Sequence, residues 1–512
     1  MDTPVRSSIA DLFRADGIDV TEDPAECAFW SADIAGGADE PARAILHPAN
    51  TDEVQRIVRK ARAEGVILFP RGGGWSYTGG FRPHGERGAI VETGHLQDIT
   101  IDREGGTVEA GAGVTWETLD TALGAGGLRV CSFGPLSGIG ATVGGGAAQN
   151  GGFFGNAGHG ALGDGTICGG TLVTGTGDIH RLGPGDRIDG IRAPQPLVGD
   201  CGAFGIRTSV VLNTMKLPET TVFSSFDFAT GPAALDVLAG LSDLPCLGEA
   251  YIFDPGTHAN LAKTGFSVIE SVGIAGDLLK GKGGGLFGRL GGLVRTARAG
   301  KAFVADLAWS LHISFDGETE AVERAQAEAT RRAVAGGGEI IPDIIPRVTR
   351  ARPFRKIKAL VGPDGEAWLP LHGVFEPGDA QNGLRAAQAV LDDARAEMAR
   401  HGIRAVLLAV LMGQRIVIEP QLFWPDSLGP AIRRKALPQQ IADYGGRPAN
   451  PAARTAALDL RKRLTAALAG AGATHFQLGR SYAVPQGTRD TLLALKQRFD
   501  PDHIINPGVL GL

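Results

Sequence analysis

At 512 residues the chain is longer than one hydrophobic core usually organises, so two domains or a domain with a large insertion are expected. Hydrophobic residues at 43% and charged residues at 21% argue against wholesale disorder, and the 77 glycines, about twice the usual share, lack the strict period of collagen. A net charge of -6 gives no global attraction to nucleic acid or anionic membrane, which leaves small-molecule chemistry.

The cysteines (Cys27, Cys131, Cys168, Cys201, Cys246) number five, an odd count, and none pairs as Cys-x-x-Cys, so they read as reduced core thiols. The start MDTPVRSSIADLFRADG lacks the apolar stretch of a signal peptide, and no run of eighteen apolar residues follows anywhere. A cytoplasmic protein without a transmembrane segment is expected.

Residues 1–40 read as an N-terminal helical segment. Ala49 to Glu53 read as a cap and acidic first turn for a helix with Val54, Ile57, Val58 and Ala61 on one face, ended by Gly65. A buried strand, Val66 to Phe69, then meets Pro70. Next come a strand at Ala89 to Glu92, a hairpin pairing Ile99 to Asp102 with Thr107 to Ala110, and a helix from Thr115 to Leu123. Strands return at Gly170 to Thr174, Ile179 to Leu182 and Ile206 to Thr214. The glycine-dense part ends near Pro218, giving a first domain over 41–218.

A second domain over 219–470 opens with a strand at Val222 to Phe228 and a helix at Ala233 to Leu241. A strand at Leu307 to Phe315 and a periodic helix from Glu318 to Ala335 follow. Leu369 to Phe375 and Val406 to Ile418 read as strands around a helix Ala380 to His401. An antiparallel sheet with helices on one face is the expected second domain, and the class is α+β. Helices Pro451 to Ala469 and Thr488 to Phe499 lead into a C-terminal segment, 471–512. Leu278 to Lys301 carries Lys280, Lys282, Arg289, Arg295, Arg298 and Lys301 among glycines; it reads as a loop between cap elements, with a membrane-surface or partner-binding insert as the alternative.

Two glycine-rich segments carry the chemistry. In Pro70-Arg71-Gly72-Gly73-Gly74-Trp75-Ser76 a strand feeds unhindered backbone N–H groups that can nest an anion, with Arg71 and Ser76 adding charge and a hydroxyl donor. The loop lacks the Gly-Lys-Ser/Thr ending of a Walker A motif. Gly111-Ala112-Gly113 starts like a dinucleotide fingerprint but has Trp116 at the third glycine position, which disfavours a Rossmann nicotinamide site. The second segment spans Gly134 to Gly165.

With both loops in this order, the sequence resembles the vanillyl-alcohol oxidase and p-cresol methylhydroxylase superfamily of FAD enzymes, which includes glycolate and D-lactate dehydrogenases. The resemblance covers most of the chain. It rests on Pro70 to Gly80, on Ala141-Thr142-Val143-Gly144-Gly145 through Gly163-Asp164, on Gly199-Asp200 to Phe204-Gly205-Ile206, and on Phe499 to Gly508. It implies an FAD-binding domain of the p-cresol methylhydroxylase type, an α+β cap over the flavin, and a C-terminal segment returning to the FAD domain. Cofactor contacts are expected from Pro70, Arg71, Gly72, Gly73, Gly74, Trp75, Ser76, Gly134, Pro135, Thr142, Gly144, Gly145 and Asn150. Gly205 and Ile206 would serve the adenosine half, and Asn506 would lie near the flavin.

The departures from the pattern are informative. Trp75 stands where some members carry a flavin-linking histidine, Gly138 and Ile139 lie where the linking cysteine falls, and Gln414 and Arg415 are the residues at the cap linking position. Noncovalent FAD is therefore expected. The histidine-rich metal motif of the metal-assisted hydroxy-acid dehydrogenases is absent, and the 11 histidines include no metal-ligand spacing, so no metal is expected.

Gly479-Arg480 keeps only the arginine of the Tyr-Arg pair that binds phenolate in the phenol-oxidising branch, and Gln149 replaces that branch's catalytic aspartate. Arg480 would stabilise the reduced, anionic flavin. His372 and His159 are histidine candidates for the substrate base; Tyr482, Glu419 and Gln149 face the same region unranked. Trp75, Trp368, Phe423 and Trp424 either line an aromatic pocket or fill the core. The expected catalytic set is Arg480, Gln149, His372 and Tyr482.

The expected activity is hydride removal from an alcohol or benzylic carbon of an aromatic or phenolic molecule onto flavin N5, by an oxidase or dehydrogenase. The alternatives are an aliphatic 2-hydroxy-acid dehydrogenase and a noncatalytic flavin-binding scaffold. The electron acceptor (oxygen, a cytochrome or a quinone) and the assembly, a homodimer among the options, stay open.

Overall fold

Thr51–Glu64 forms the first long helix because its ends are satisfied locally: the Asn50 side chain accepts from the Glu53 N–H, and Gly65, at φ +64°, closes the last turn. Its buried face, Val54, Ile57, Val58 and Ala61, packs on a sheet of β1 (Asp19–Thr21), β2 (Ala44–His47), β3 (Ile67–Arg71) and β4 (Gly88–Glu92). Strand order is β1-β2-β4-β3; β2, β4 and β3 run parallel and β1 pairs antiparallel with β2. The N-terminal segment is thus not only helical, since it lends β1 to this sheet. The computed structural model describes residues 8–188, 190–264, 304–351, 353–354 and 360–512. The basic glycine-rich stretch 278–301 lies outside them.

A second, antiparallel sheet holds β5 (Ile99–Asp102), β6 (Thr107–Gly111), β7 (Leu128–Val130), β8 (Ile167–Thr174) and β9 (Ile179–Leu182). The short β10 (Arg187–Ile188) and β11 (Ile191–Arg192) form a separate ribbon. The long β12 (Gly205–Lys216) sits centrally, between β6 and β8, and pairs with β7 near its end. Between β7 and β8 the chain runs through the second glycine-rich segment, so both glycine segments leave strands of adjacent sheets.

The third sheet is antiparallel throughout. It contains β13 (Thr220–Phe228), β14 (Leu247–Phe253), β15 (Trp309–Gly317), β16 (Glu339–Ile340), β17 (Ala367–Pro370), β18 (Gly373–Phe375), β19 (Arg404–Met412) and β20 (Arg415–Trp424). Its order is β16-β13-β15-β14-β19-β20-β17, with β18 also on β20. Alternation along the strands sorts side chains to two faces. Leu311, Ile313, Phe315, Leu411, Ile416 and Ile418 meet the helices Gly231–Ala239, Thr319–Ala335, Ala380–Asp393 and Pro451–Gly470. Tyr251, Val410, Met412 and Val417 face Trp116, Phe153 and Phe154 of the first half.

Three elements differ in detail from the sequence expectation. Val406 to Ile418 is a hairpin, because Gly413 at φ +61° turns the chain between Met412 and Arg415. Leu369 to Phe375 is broken at Leu371 and His372. The helix over Ala380 to His401 is two, meeting at Ala394, whose ψ of -2° interrupts the ladder.

The C-terminus returns to the first sheet. The Leu68 N–H donates to the Ile504 carbonyl and the Asn506 N–H to the Leu68 carbonyl, both at 2.8 Å. Asp500, fully buried, accepts from the Ile504 and Ile505 N–H groups and pairs with the equally buried Lys496 at 2.7 Å. That is the local reason for the Asp500 to Asn506 motif: it ties a turn to the edge of β3.

Candidate functional site

The two glycine segments touch at bare backbone. A Cβ on Gly72 would enter the Thr142 side chain, one on Gly73 the Gly140 carbonyl, one on Gly74 the Arg71 guanidinium, and one on Gly140 the Trp75 indole. Gly74 also needs its φ of +65°. Beyond Gly140, Thr142 caps the short helix Val143–Gln149 by accepting from the Gly145 N–H at 3.2 Å. Trp116 packs against Gly134, Gly138 and Gly146, where any larger residue would collide with it.

These loops form one end of a large cavity lined by Pro70, Arg71, Gly72 to Gly74, Trp75, Ser76, Pro135, Thr142, Gly144, Gly145 and Gln149. Arg71 is the charged side chain of the first loop that lines it. Its guanidinium lies 4.2 Å from the Trp30 ring centroid and is buried, yet Nε and Nη2 have no protein partner. Burial brings its pKa down to about 10, with Glu92 and Asp33 opposing. A buried cation with unused donors beside consecutive bare N–H groups fits the pyrophosphate of a dinucleotide. The Gln149 Oε1, also buried and unpartnered, is a second polar atom lacking a protein partner in the same cavity.

Other residues hold the first loop in shape. Arg480 donates through Nη1 to the Gly79 carbonyl at 2.6 Å and the Arg82 carbonyl at 3.1 Å, and through Nη2 to Asn506 Oδ1 at 3.0 Å and the Pro507 carbonyl at 2.8 Å. Asn506 Nδ2 donates to the Gly80 and Cys201 carbonyls. Lys435, from the second half of the chain, donates to the Gly73 carbonyl at 2.7 Å and lies 4.7 Å from the Trp75 ring centroid. Burial, with Arg71 adding repulsion, pushes Lys435 down to about 7.

The opposite wall comes from β17, β19 and β20 together with Tyr77, Leu360 and Phe476. Alternation brings Leu408, Val410 and Met412 of β19, and Val417, Glu419 and Gln421 of β20, to the cavity. Trp368 Nε1 donates to Gln421 Oε1 at 3.0 Å, and Gln421 Nε2 donates to Glu419 Oε1 at 2.8 Å. That chain fixes which way the Gln421 amide points and leaves Glu419 Oε2 without a protein partner among the described residues. Removal from water raises Glu419 to about 7, the Gln421 bond only partly offsetting it. Tyr77, whose ring centroid is 6.2 Å from that of Trp368, is pushed up by burial and by Glu419.

The expected site residues therefore divide. Pro70 to Ser76, Pro135, Thr142, Gly144, Gly145 and Gln149 line the cavity. Gly134, Asn150, Gly205, Ile206 and Asn506 are absent from its lining and act behind it. Asn150, for example, accepts from the Gly163 N–H at 2.8 Å. Arg207, Cys201 and Gly202 line the cavity near Gly205 instead.

Among the catalytic candidates, Arg480 is bonded to the loop rather than to the cavity. His372, expected as a base, lies outside the cavity lining, donates from Nε2 to the Phe476 carbonyl at 2.6 Å, and accepts at Nδ1 from the Tyr482 hydroxyl at 3.3 Å. Burial drives it down to about 3, and both ring nitrogens are hydrogen-bonded within the protein. Tyr482 is buried with it. His159 is held down by burial and lies outside the lining. Trp75 and Trp368 line the cavity, whereas Phe423 and Trp424 are core.

Glu419 stood unranked in the sequence, although a lone carboxylate inside Ile416-Val417-Ile418-Glu419-Pro420 is a legible signal once that strand has a face. Gln414 and Arg415 turn outward, to the Ser242 carbonyl and the Asp164 carboxylate.

Comparison with known proteins gives a cofactor domain and a shared fold. Residues 42–183 match the family model described as an FAD binding domain. A D-lactate dehydrogenase of Archaeoglobus fulgidus is 37% identical over 109 residues, which are 21% of this chain and 24% of that relative, so the match spans about a quarter of its length. The fold of p-cresol methylhydroxylase superposes with a TM-score of 0.70 at 17% identity, covering 98% of this chain and 96% of the other. A 4-ethylphenol oxidase from Gulosibacter chungangensis gives 0.70 at 16% identity over 100% and 98%. Residues 42–183 are thus an FAD binding domain, the chain has the fold of p-cresol methylhydroxylase, and the glycine cradle with its unsatisfied arginine lies where that domain would receive the cofactor.

Proposed function

We propose that the protein is an FAD-dependent oxidoreductase, an oxidase or dehydrogenase, that takes a hydride from an alcohol-bearing or benzylic carbon of an aromatic small molecule. The supporting observation is one continuous cavity running from the Arg71 to Gly74 cradle to a wall of Tyr77, Trp368, Phe476, Leu408, Val410 and Val417 that carries a single carboxyl group, Glu419. FAD, when bound, supplies the two-electron acceptor. Arg71 and the loop N–H groups bind its phosphates. Trp368, Tyr77 and Phe476 offer flat apolar faces to an aromatic ring.

Glu419 takes the proton released from the substrate hydroxyl. A carboxyl that titrates near 7 is matched to proton transfer at neutral pH, and Gln421 keeps it oriented. FAD is held without a covalent link, since Trp75, Gly138, Ile139, Gln414 and Arg415 offer no suitable nucleophile.

The match to a D-lactate dehydrogenase favours a second reading, oxidation of an aliphatic 2-hydroxy acid. Anaerobic flavin bleaching separates them: benzylic and phenolic alcohols should bleach the bound flavin, and lactate and glycolate should not. Bleaching by hydroxy acids alone would replace the first reading with the second. A flavoprotein reduced by neither class would be a scaffold.

A further inference from the structure

The first sheet brings together three metal-ligating side chains at the ends of β2 and β4, with Glu92 in register with Arg71 of β3. Leu46 pairs with Val91 in the parallel β2–β4 register, which sets the next residues, His47 and Glu92, side by side at the strand ends. After Glu92 the chain turns, the Leu96 N–H donating to the Thr93 carbonyl, and His95 comes back over the same spot. One ligand atom from each of His47, Glu92 and His95 lies within 4.8 Å of the other two.

We propose that these three residues form a binding site for one divalent transition ion of the zinc class, completed by water. His47 Nδ1 and Glu92 Oε2 are 3.3 Å apart. Two ligands of a tetrahedral ion at bond lengths of about 2.0 Å are themselves roughly 3.3 Å apart, so this pair already has the separation the ion needs. His95 is exposed and closes the remaining distance by side-chain rotation.

Both inner ligands are oriented from behind, as ligands of a built site are. His47 Nε2 meets the Thr21 hydroxyl at 3.1 Å, and Glu92 Oε1 accepts from the Gly94 N–H at 2.6 Å, so the atoms left over, Nδ1 and Oε2, are the two that converge. Two imidazoles and one carboxylate suit zinc, cobalt or nickel; magnesium and calcium prefer oxygen throughout. The exposed His95 provides the entry path. An ion here would clip β1 and β2 to β4, the strand in register with β3 and Arg71.

Short spacing joins only Glu92 and His95; the parallel-strand register brings His47, 45 residues before Glu92, to them. The site is independent of the substrate reading above.

The test uses the FAD-loaded protein, freed of any purification tag, stripped with a chelator and titrated with zinc by calorimetry. One equivalent should bind. His95→Ala, at an exposed position, and Thr21→Val should each bind zinc at least ten-fold more weakly while keeping the flavin content and the unfolding transition of the metal-free protein. Absence of a stoichiometric zinc isotherm, or equal affinity in wild type and His95→Ala, overturns the site and leaves His47–Glu92 as a simple hydrogen bond.

Discussion

Replacing Glu419 by Gln removes a charge that the fold resists while keeping the shape and the bond to Gln421. The carboxyl rises from an ordinary 4.5 to about 7 because it faces a cavity wall of Trp368, Tyr77 and apolar strand residues instead of water. At about 1.4 kcal/mol per pH unit, ionising it costs about 3 kcal/mol more in the folded chain than in the unfolded one. The sign follows from proton counts. Between pH 4.5 and 7 the unfolded chain has lost this proton and the folded one has kept it, so this group's contribution to stability falls as pH rises across that window and is level above it. Glu419→Gln should therefore gain on the wild type by up to about 3 kcal/mol between pH 4.5 and pH 8, measured as the difference in urea midpoints at the two pH values. The same substitution should slow flavin reduction by about 10²–10⁴-fold and remove a rise in kcat/KM centred near pH 7. A stability difference that does not change with pH would refute the desolvated carboxyl, and an unchanged rate would refute the base.

Arg71→Ala deletes the two unpartnered donors of the cradle; with charged hydrogen bonds contributing about 1.5–3 kcal/mol each, FAD affinity should drop at least ten-fold, read by fluorescence titration of the apoprotein. Gly73→Ala puts a methyl into the Gly140 carbonyl and should yield a folded protein, by circular dichroism, that purifies without flavin. Lys435 titrates near 7 beside the Gly73 carbonyl, and a bound pyrophosphate would favour its charged form, so FAD binding at pH 8 should take up a proton. Calorimetry in two buffers of different ionisation enthalpy measures that uptake, which Lys435→Met should abolish.

How much of this was written in the sequence depends on distance along the chain. The glycine cradle was legible because Arg71, Gly72, Gly73 and Gly74 are consecutive and follow a strand. The helix Thr51–Glu64 was legible because Asn50, Glu53 and Gly65 are local caps. Glu419 stayed unranked because its place in the cavity wall depends on which face of β20 meets the first half, a matter of pairing with β19 rather than of neighbours. The surroundings of His372 were illegible for the converse reason: an imidazole in an apolar strand reads the same whether it faces a cavity or, as here, lies against the ring of Phe476 at 4.2 Å. Arg480 was legible as important, but its partners, Gly79, Arg82, Asn506 and Pro507, all lie at separations no spacing rule covers.

The cradle and the carboxyl come from different sheets, so their relative placement depends on what joins the sheets, and the junction is ionic. Asp316 of β15 receives Arg129 of β7 at 2.8 Å and also pairs with Arg350, which in turn pairs with Glu249 of β14. Glu249 accepts from the Gly155 N–H at 2.8 Å, within the second glycine segment, and the Phe133 ring lies under both arginines, at 5.3 and 4.7 Å. Two cations against two carboxylates leave no uncompensated buried charge, and breaking such a set by removing one member typically costs about 3–5 kcal/mol. Apolar packing alone would tolerate sliding of β14 and β15 over the first half. A network whose bonds fix direction does not, and so it sets the distance between Glu419 and the loops that hold the cofactor.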